Sequence, residues 1–232
     1  MRPVTDMRDF LEDKLHRVRS WQATPEGQKE MARAEALERA KLRAQLTEIA
    51  DRRNIPDDAN TRNLAFDRNL SGPFPDHLKR QITRINERML ELNGNIPALL
   101  HLGGGRGLGK TVTLAWAVQQ SEKSAYFIEA SEIQRGGPWK DATERWNFLI
   151  HVRLLTIDEV GIGQQTEDFR ALLLQRWNKG KITILAGNQK QGELQSFWLE
   201  ERLKDRLNSQ LGWGLVPSLC LNGESLRKLG ND

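Results

Sequence analysis

Residues 104–111, Gly-Gly-Arg-Gly-Leu-Gly-Lys-Thr, restrict what this chain can fold into more than any other stretch. They match G-x-x-x-x-G-K-[ST] at every position. Glycines let the backbone turn tightly, so that successive N–H groups point inward at phosphate oxygens. Such a loop works where a buried strand runs into it and a helix leaves it, because the helix adds the positive end of its dipole. Both neighbours are present in the sequence. Pro97–Leu102 (PALLHL) reads as a strand, and the run from 110 to 121 reads as a helix. Gly104, Gly105, Arg106, Gly107, Leu108, Gly109, Lys110 and Thr111 are therefore read as a cradle for a nucleoside triphosphate. In that reading Lys110 reaches the β- and γ-phosphates and Thr111 ligates magnesium, so ATP and Mg2+ are the implied cofactors. The plain alternative is a glycine-rich strand-to-helix turn that contains Gly-Lys-Thr by chance.

After this loop the sequence alternates strand and helix signals. Strands are expected at Ala125–Glu129, Arg153–Ile157, Lys181–Ala186 and about Val216–Leu221. Helices are expected at about 141–150, 166–178 and 197–209. Three of the strands are nearly continuous apolar runs, as buried parallel strands are. The order implies βαβ units with right-handed crossovers and helices on both sheet faces.

A parallel strand delivers its C-terminal end to the edge where the phosphate loop sits. Leu154-Leu155-Thr156-Ile157-Asp158-Glu159 ends in two carboxylates. Asp158 is read as holding magnesium through water and Glu159 as polarising the attacking water. A strand ending in solvated acids is the alternative. Ile182–Asn188 ends in a small polar group, and Asn188 reads as a hydrogen-bond partner of the γ-phosphate or lytic water, or as a turn asparagine. Arg202 and Arg206 lie four apart in an amphipathic run at 199–207 and share a face. Either could act on a neighbouring subunit's site. Spacing alone favours their pairing with Glu200, Glu201 or Asp205.

Upstream of the loop the chain reads as helical. Phe10, Leu11, Leu15 and Val18 have helical spacing. Thr24-Pro25-Glu26 marks a new start, with Thr24 as N-cap and Pro25 at the first helical position. The run to about Arg53 favours a long helix with a thin apolar stripe of Met31, Ala34, Leu37, Leu42, Leu46 and Ile49. Asn54–Asn60 is turn chemistry and reads as a linker. Another helix is expected at about 76–92. The division is thus 1–59, a helical partner-binding region, and 60–232, the ATPase domain.

Composition narrows the class. The 232 residues hold one cysteine, Cys220, and four histidines without metal-site spacing, which excludes an internal disulfide and a zinc cluster. No apolar run is long enough to span a membrane. The chain reads as cytoplasmic, and its formal charge of +4 leans weakly towards an acidic partner.

Together GGGRGLGKT (103–111), LLTIDEVGIGQQTEDF (154–169), ITILAGNQ (182–189) and LEERLKDRLNSQLGWGL (199–215) resemble the AAA+ ATPases of the DnaC/IstB type. The resemblance covers about residues 60–228. It implies an α/β fold: a P-loop AAA+ core with a five-stranded parallel sheet flanked by helices, preceded by the α-helical N-terminal region. It also implies hydrolysis shared between subunits of an oligomer, with single-stranded DNA held inside. It assigns Asn188 to the sensor position and Arg206 to the arginine finger, with Arg202 a second candidate. The roughly ten residues after the last strand imply no C-terminal lid. The sensor strand reads AGNQ where the family more usually has TSN.

In this family the segment at 131–152 carries DNA-contacting helices. Arg135, Trp139, Lys140 and Arg145 supply the cation-and-aromatic mixture that suits single strands. Trp146 and Phe148 also read as core, Phe148 more so. The implied function is a phage or bacterial loader of a replicative DnaB-type helicase, which binds that helicase through its N-terminal helices. The alternatives are an IstB-like helper delivering a transposase to DNA, and a regulatory module that occupies a helicase without loading it.

Overall fold

The computed structural model describes residues 7–72, 75–91, 98–133, 142–161, 167–188 and 218–221. It divides into two compact units, Met1–Glu48 and Ile49–Asp232. The boundary is therefore eleven residues upstream of the one expected at 59/60.

In the first unit, α1 (Met7–Gln22) is followed by α2, which starts at Pro25 and runs to Arg52. Thr24 caps α2 as its sequence suggests: its hydroxyl accepts the Gly27 N–H at 3.1 Å and donates to the Trp21 carbonyl at 2.6 Å. A side chain at Gly27 would collide with that carbonyl, since an added Cβ would lie 2.0 Å from its oxygen. Leu15, Val18, Trp21, Leu37 and Leu42 are exposed.

The second unit begins with the last turn of α2. Asn54 adopts a left-handed conformation (φ 57°), which asparagine tolerates better than most side chains. The Asn54 N–H bonds the Asp51 carbonyl and the Ile55 N–H bonds the Ala50 carbonyl. This is a Schellman ending, with Ile55 folded back on the helix. Ala50 and Ile55 are both buried. The expected linker is thus a helix cap packed into the core. The short helix α3 (Ala59–Phe66) follows, capped by the Asp58 carboxylate on the Thr61 N–H, and then α4 (Asp76–Glu91).

The sheet contains β1 (Ala98–Gly104), β2 (Ala125–Glu129), β3 (Leu154–Val160), β4 (Ile182–Gly187) and β5 (Ser218–Leu221). Their order is β2-β3-β4-β1-β5, and every neighbouring pair is parallel. The five strands expected are not equal partners. β1 to β4 form the body of the sheet, and the fifth is a four-residue segment along the edge of β1.

Alternation along the strands sends side chains to two cores. Leu100, Leu102 and Phe127 pack with α5 (Lys110–Gln120), together with Ala50, Ile55 and Ala65. Leu99, Leu155 and Ile157 pack on the other face with α6 (Ala142–His151) and α7 (Glu167–Asn178). Helices therefore cover both faces, as expected. Arg176 is fully buried, and among the described residues no carboxylate pairs with it. Its guanidinium donates to the carbonyls of Leu149, Val152 and Ile182 and to Thr183 Oγ1, tying the end of α6 to the start of β4.

Candidate nucleotide site

The phosphate-loop sequence lies where its mechanism needs it, between the C-terminal end of β1 and the first turn of α5. Gly107 (φ 78°) and Gly109 (φ 82°) take left-handed conformations that side chains rarely adopt. Gly109 is the residue that turns the chain into α5. Lys110 folds back over the loop. Its ammonium donates to the carbonyls of Gly104 at 2.9 Å and Gly105 at 2.7 Å. Its third bond reaches Asn188 Oδ1 at 3.0 Å. Burial pushes the Lys110 pKa down, opposed by the nearby Asp158 carboxylate.

Sheet register brings the acidic pair to the same edge. β4 lies between β1 and β3, with Gly103 opposite Gly187 and Val160 also opposite Gly187. The pairing of β3 with β4 shifts between Ile157 and Val160, which marks a bulge at Asp158 and Glu159. Bulges re-aim side chains, and here the two carboxylates part. Asp158 is buried, at 4% exposure, while Glu159 is exposed. Glu159 has φ 52°, a strained value for a residue with a side chain.

Asp158 is fixed by two bonds. Its Oδ2 accepts the Thr111 hydroxyl at 2.5 Å, and its Oδ1 accepts the Glu159 N–H at 2.8 Å. Burial raises the Asp158 pKa, and the Glu159 charge adds to this. The Thr111 and Glu159 hydrogen bonds and the Lys110 charge oppose it. A hydroxyl and a carboxylate held together offer the hard oxygen donors that a magnesium ion takes. The donor set thus fits the ion expected there. Among the described residues there is no group of three His, Cys, Asp or Glu that could hold a metal independently.

Other expected site residues divide into two groups. Arg135, Trp139, Lys140, Arg202 and Arg206 lie outside the described residues. Arg145 is described, and its setting differs from an open DNA contact. Its guanidinium is 13% exposed and pairs with Glu132 at 3.0 Å. Phe148, expected in the core, is 46% exposed and rests edge-on against Tyr126 with ring centroids 5.1 Å apart. Trp146, two positions earlier on α6, is the partly buried member, packed against the core. The helical spacing of Phe148 gave no sign of which face meets the sheet.

Sequence reasoning missed Arg53. Its guanidinium donates to the carbonyls of Val118, Gln119 and Ser121 at the far end of α5. No local pattern could have revealed partners 65 to 68 positions away.

No protein-family model matches the chain, and no curated protein matches it. Solved structures do. The crystal structure of DnaI aligns with 69% of this chain and 94% of its own, at 17% identity and a TM-score of 0.53. The DnaC helicase loader aligns with 71% of this chain and 100% of its own, at 17% identity and a TM-score of 0.47. AMPPCP-bound DnaA from Aquifex aeolicus aligns with 64% of this chain and 46% of its own, at 18% identity and a TM-score of 0.42. At such identities the likeness is one of fold. The chain is similar in fold to DnaI, and its own motifs resemble the AAA+ ATPases of the DnaC/IstB type.

Proposed function

We propose that this chain is an ATP-hydrolysing helicase loader that acts on single-stranded DNA. One observation carries the reading. Lys110 and Thr111, where the loop enters α5, meet Asp158 and Asn188, from the ends of two strands, at one sheet edge. Nothing in the packing of a structural core calls for that group of residues. Phosphate transfer calls for each of them.

In this reading the N–H groups of 104–109 and the Lys110 ammonium bind the phosphates. Thr111 and Asp158 hold the magnesium ion, which neutralises charge on the phosphate oxygens when bound. Glu159 stands on the exposed side of the bulge and takes the proton from the attacking water. Asn188 orients the γ-phosphate or that water. Arg206, with Arg202 as the second candidate, completes the site of a neighbouring subunit and stabilises the charge of the transition state. Arg135, Trp139 and Lys140 contact single-stranded DNA. The helices of residues 1–48 bind a DnaB-type helicase, for which the exposed Leu37 and Leu42 of α2 offer apolar anchors. The fold likeness to DnaI and the motif resemblance support the loader reading over a generic nucleotide switch.

Titration calorimetry with Mg-ATP tests the site. Wild type should bind and Lys110→Ala should not. Equal affinity in the two would sink the phosphate-cradle assignment. A steady-state ATPase assay with and without single-stranded DNA tests the rest. Hydrolysis indifferent to DNA, and no association with a replicative helicase from the native host, would argue against a loader.

A further inference from the structure

We infer that Arg53 is a positioning residue for the nucleotide site and that the last turn of α2 responds to nucleotide occupancy. The inference deepens the reading of 104–111 as a phosphate cradle and rests on it.

α5 is a helix of 11 residues whose N-terminus forms one wall of that cradle. Its C-terminal carbonyls are held by one side chain. The Arg53 guanidinium donates to Val118, to Gln119 at 2.9 Å and to Ser121 at 3.0 Å. A cation at a helix C-terminus stabilises the negative end of the dipole, as an anion at the N-terminus stabilises the positive end. Phosphate and Arg53 thus act on one short helix from opposite ends. The helix is also gripped along its length. Trp116 Nε1 donates to the Asp67 carbonyl at 3.1 Å, and Gln120 Nε2 donates to the Ala65 carbonyl at 2.7 Å. A helix clamped in this way moves as one body, so a displacement at the loop reaches Arg53.

The same residue reaches the acidic strand by a second route. The Arg53 carbonyl accepts the Phe127 N–H at 2.9 Å, and Asn54 Nδ2 donates to the Phe127 carbonyl at 3.0 Å. Phe127 pairs with Thr156 on β3, two residues before Asp158. Arg53 and Asn54 therefore join the helix that follows the phosphate loop to the strand beside the acidic pair. Both are tied to the last turn of α2, the Arg53 N–H bonding the Ile49 carbonyl and the Asn54 N–H the Asp51 carbonyl. Lysine could not replace this arrangement, because a single ammonium lacks the rigid fork that spans several carbonyls.

Hydrogen exchange of the full chain, with and without saturating Mg-ATP, provides the test. In wild type, nucleotide should slow exchange in 104–112 and also in 49–54 and 125–128. Arg53→Ala should keep the response at 104–112, lose it at 49–54, and weaken nucleotide affinity by roughly three- to tenfold, the size of a helix-terminus charge interaction. Arg53→Lys should recover part of both. It is the decisive variant if Arg53→Ala does not fold, and a response at 49–54 equal to wild type would then overturn the inference. So would a wild-type chain protected at 104–112 but unchanged at 49–54, or an alanine variant whose 49–54 segment still responds fully. No protection at 104–112 in wild type would instead overturn the phosphate-cradle reading beneath it.

Discussion

Lys110 and Asn188 stand 78 positions apart in the chain and meet in a 3.0 Å hydrogen bond, ammonium to side-chain carbonyl. The other two bonds of that ammonium go to the loop carbonyls of Gly104 and Gly105. All three donors of the lysine are engaged. A phosphate oxygen entering the loop must replace at least one of these acceptors. Asn188, on an exposed bend, is the acceptor best able to move away. Asn188→Ala should therefore leave Mg-ATP affinity within about threefold of wild type while lowering kcat about tenfold or more, the pattern of an interaction made mainly in the transition state. Calorimetry and a steady-state assay separate the two quantities. A rise in Kd with kcat unchanged would place Asn188 in binding alone.

Glu159→Gln should bind ATP and hydrolyse it on the order of 10²-fold more slowly, the usual contribution of a positioned general base. Glu159 has φ 52°, so Glu159→Gly should relieve local strain and raise the thermal midpoint while abolishing turnover. A glycine variant no more stable than wild type would mean that the bulge is not strained.

His101 lies on β1 at 1% exposure, and burial together with the Lys110 charge holds its pKa down to about 4, against an ordinary 6.5. The sign follows directly. Between these values the unfolded chain binds the proton and the folded chain does not. Stability contributed by His101 is thus complete above about pH 6.5 and is lost as pH falls towards 4. His101→Leu, which cannot titrate, should lose less stability than wild type between pH 7 and 4.5. Urea midpoints across that range give the comparison. Parallel curves would show that His101 is not the group responsible.

A chain beginning at Ile49 should fold, and one beginning at Asn60 should not fold stably. The second lacks Ala50 and Ile55 from the core, and it lacks Arg53 from the end of α5. Removing two buried aliphatic side chains costs roughly 2–5 kcal/mol before the lost hydrogen bonds are counted. Circular dichroism melting of the two truncations decides the matter. Equal midpoints would make 49–59 a dispensable tether.

Much of this was legible in residue order. β1 to β4 were readable to within three residues at each end because buried parallel strands are short apolar runs bounded by polar turns. The loop between β1 and α5 was readable because its motif is a run of consecutive residues. α3 was not readable, since its eight residues hold too few apolar positions to show a period. The remaining signal was Asp58 three residues ahead of Thr61, an N-cap pair inside what looked like turn composition. That composition also hid the role of Asn54. Its left-handed turn was foreseeable, but the burial of Ile55 depends on strands more than forty residues away. The ion pair of Arg145 with Glu132 is likewise set by the 3-10 turn at Ala130–Glu132, which brings a carboxylate to a position that no helical spacing predicts.

The bonds from Arg53 and Asn54 to Phe127 have one more effect. β2 is the outermost strand on its side of the sheet, and Ala125-Tyr126-Phe127-Ile128 is the kind of short apolar stretch that recruits further strands when its rim is bare. A backbone carbonyl and an asparagine amide occupy the central N–H and C=O of that rim. The turn after α2 thus acts as a stopper against intermolecular strand pairing along that rim.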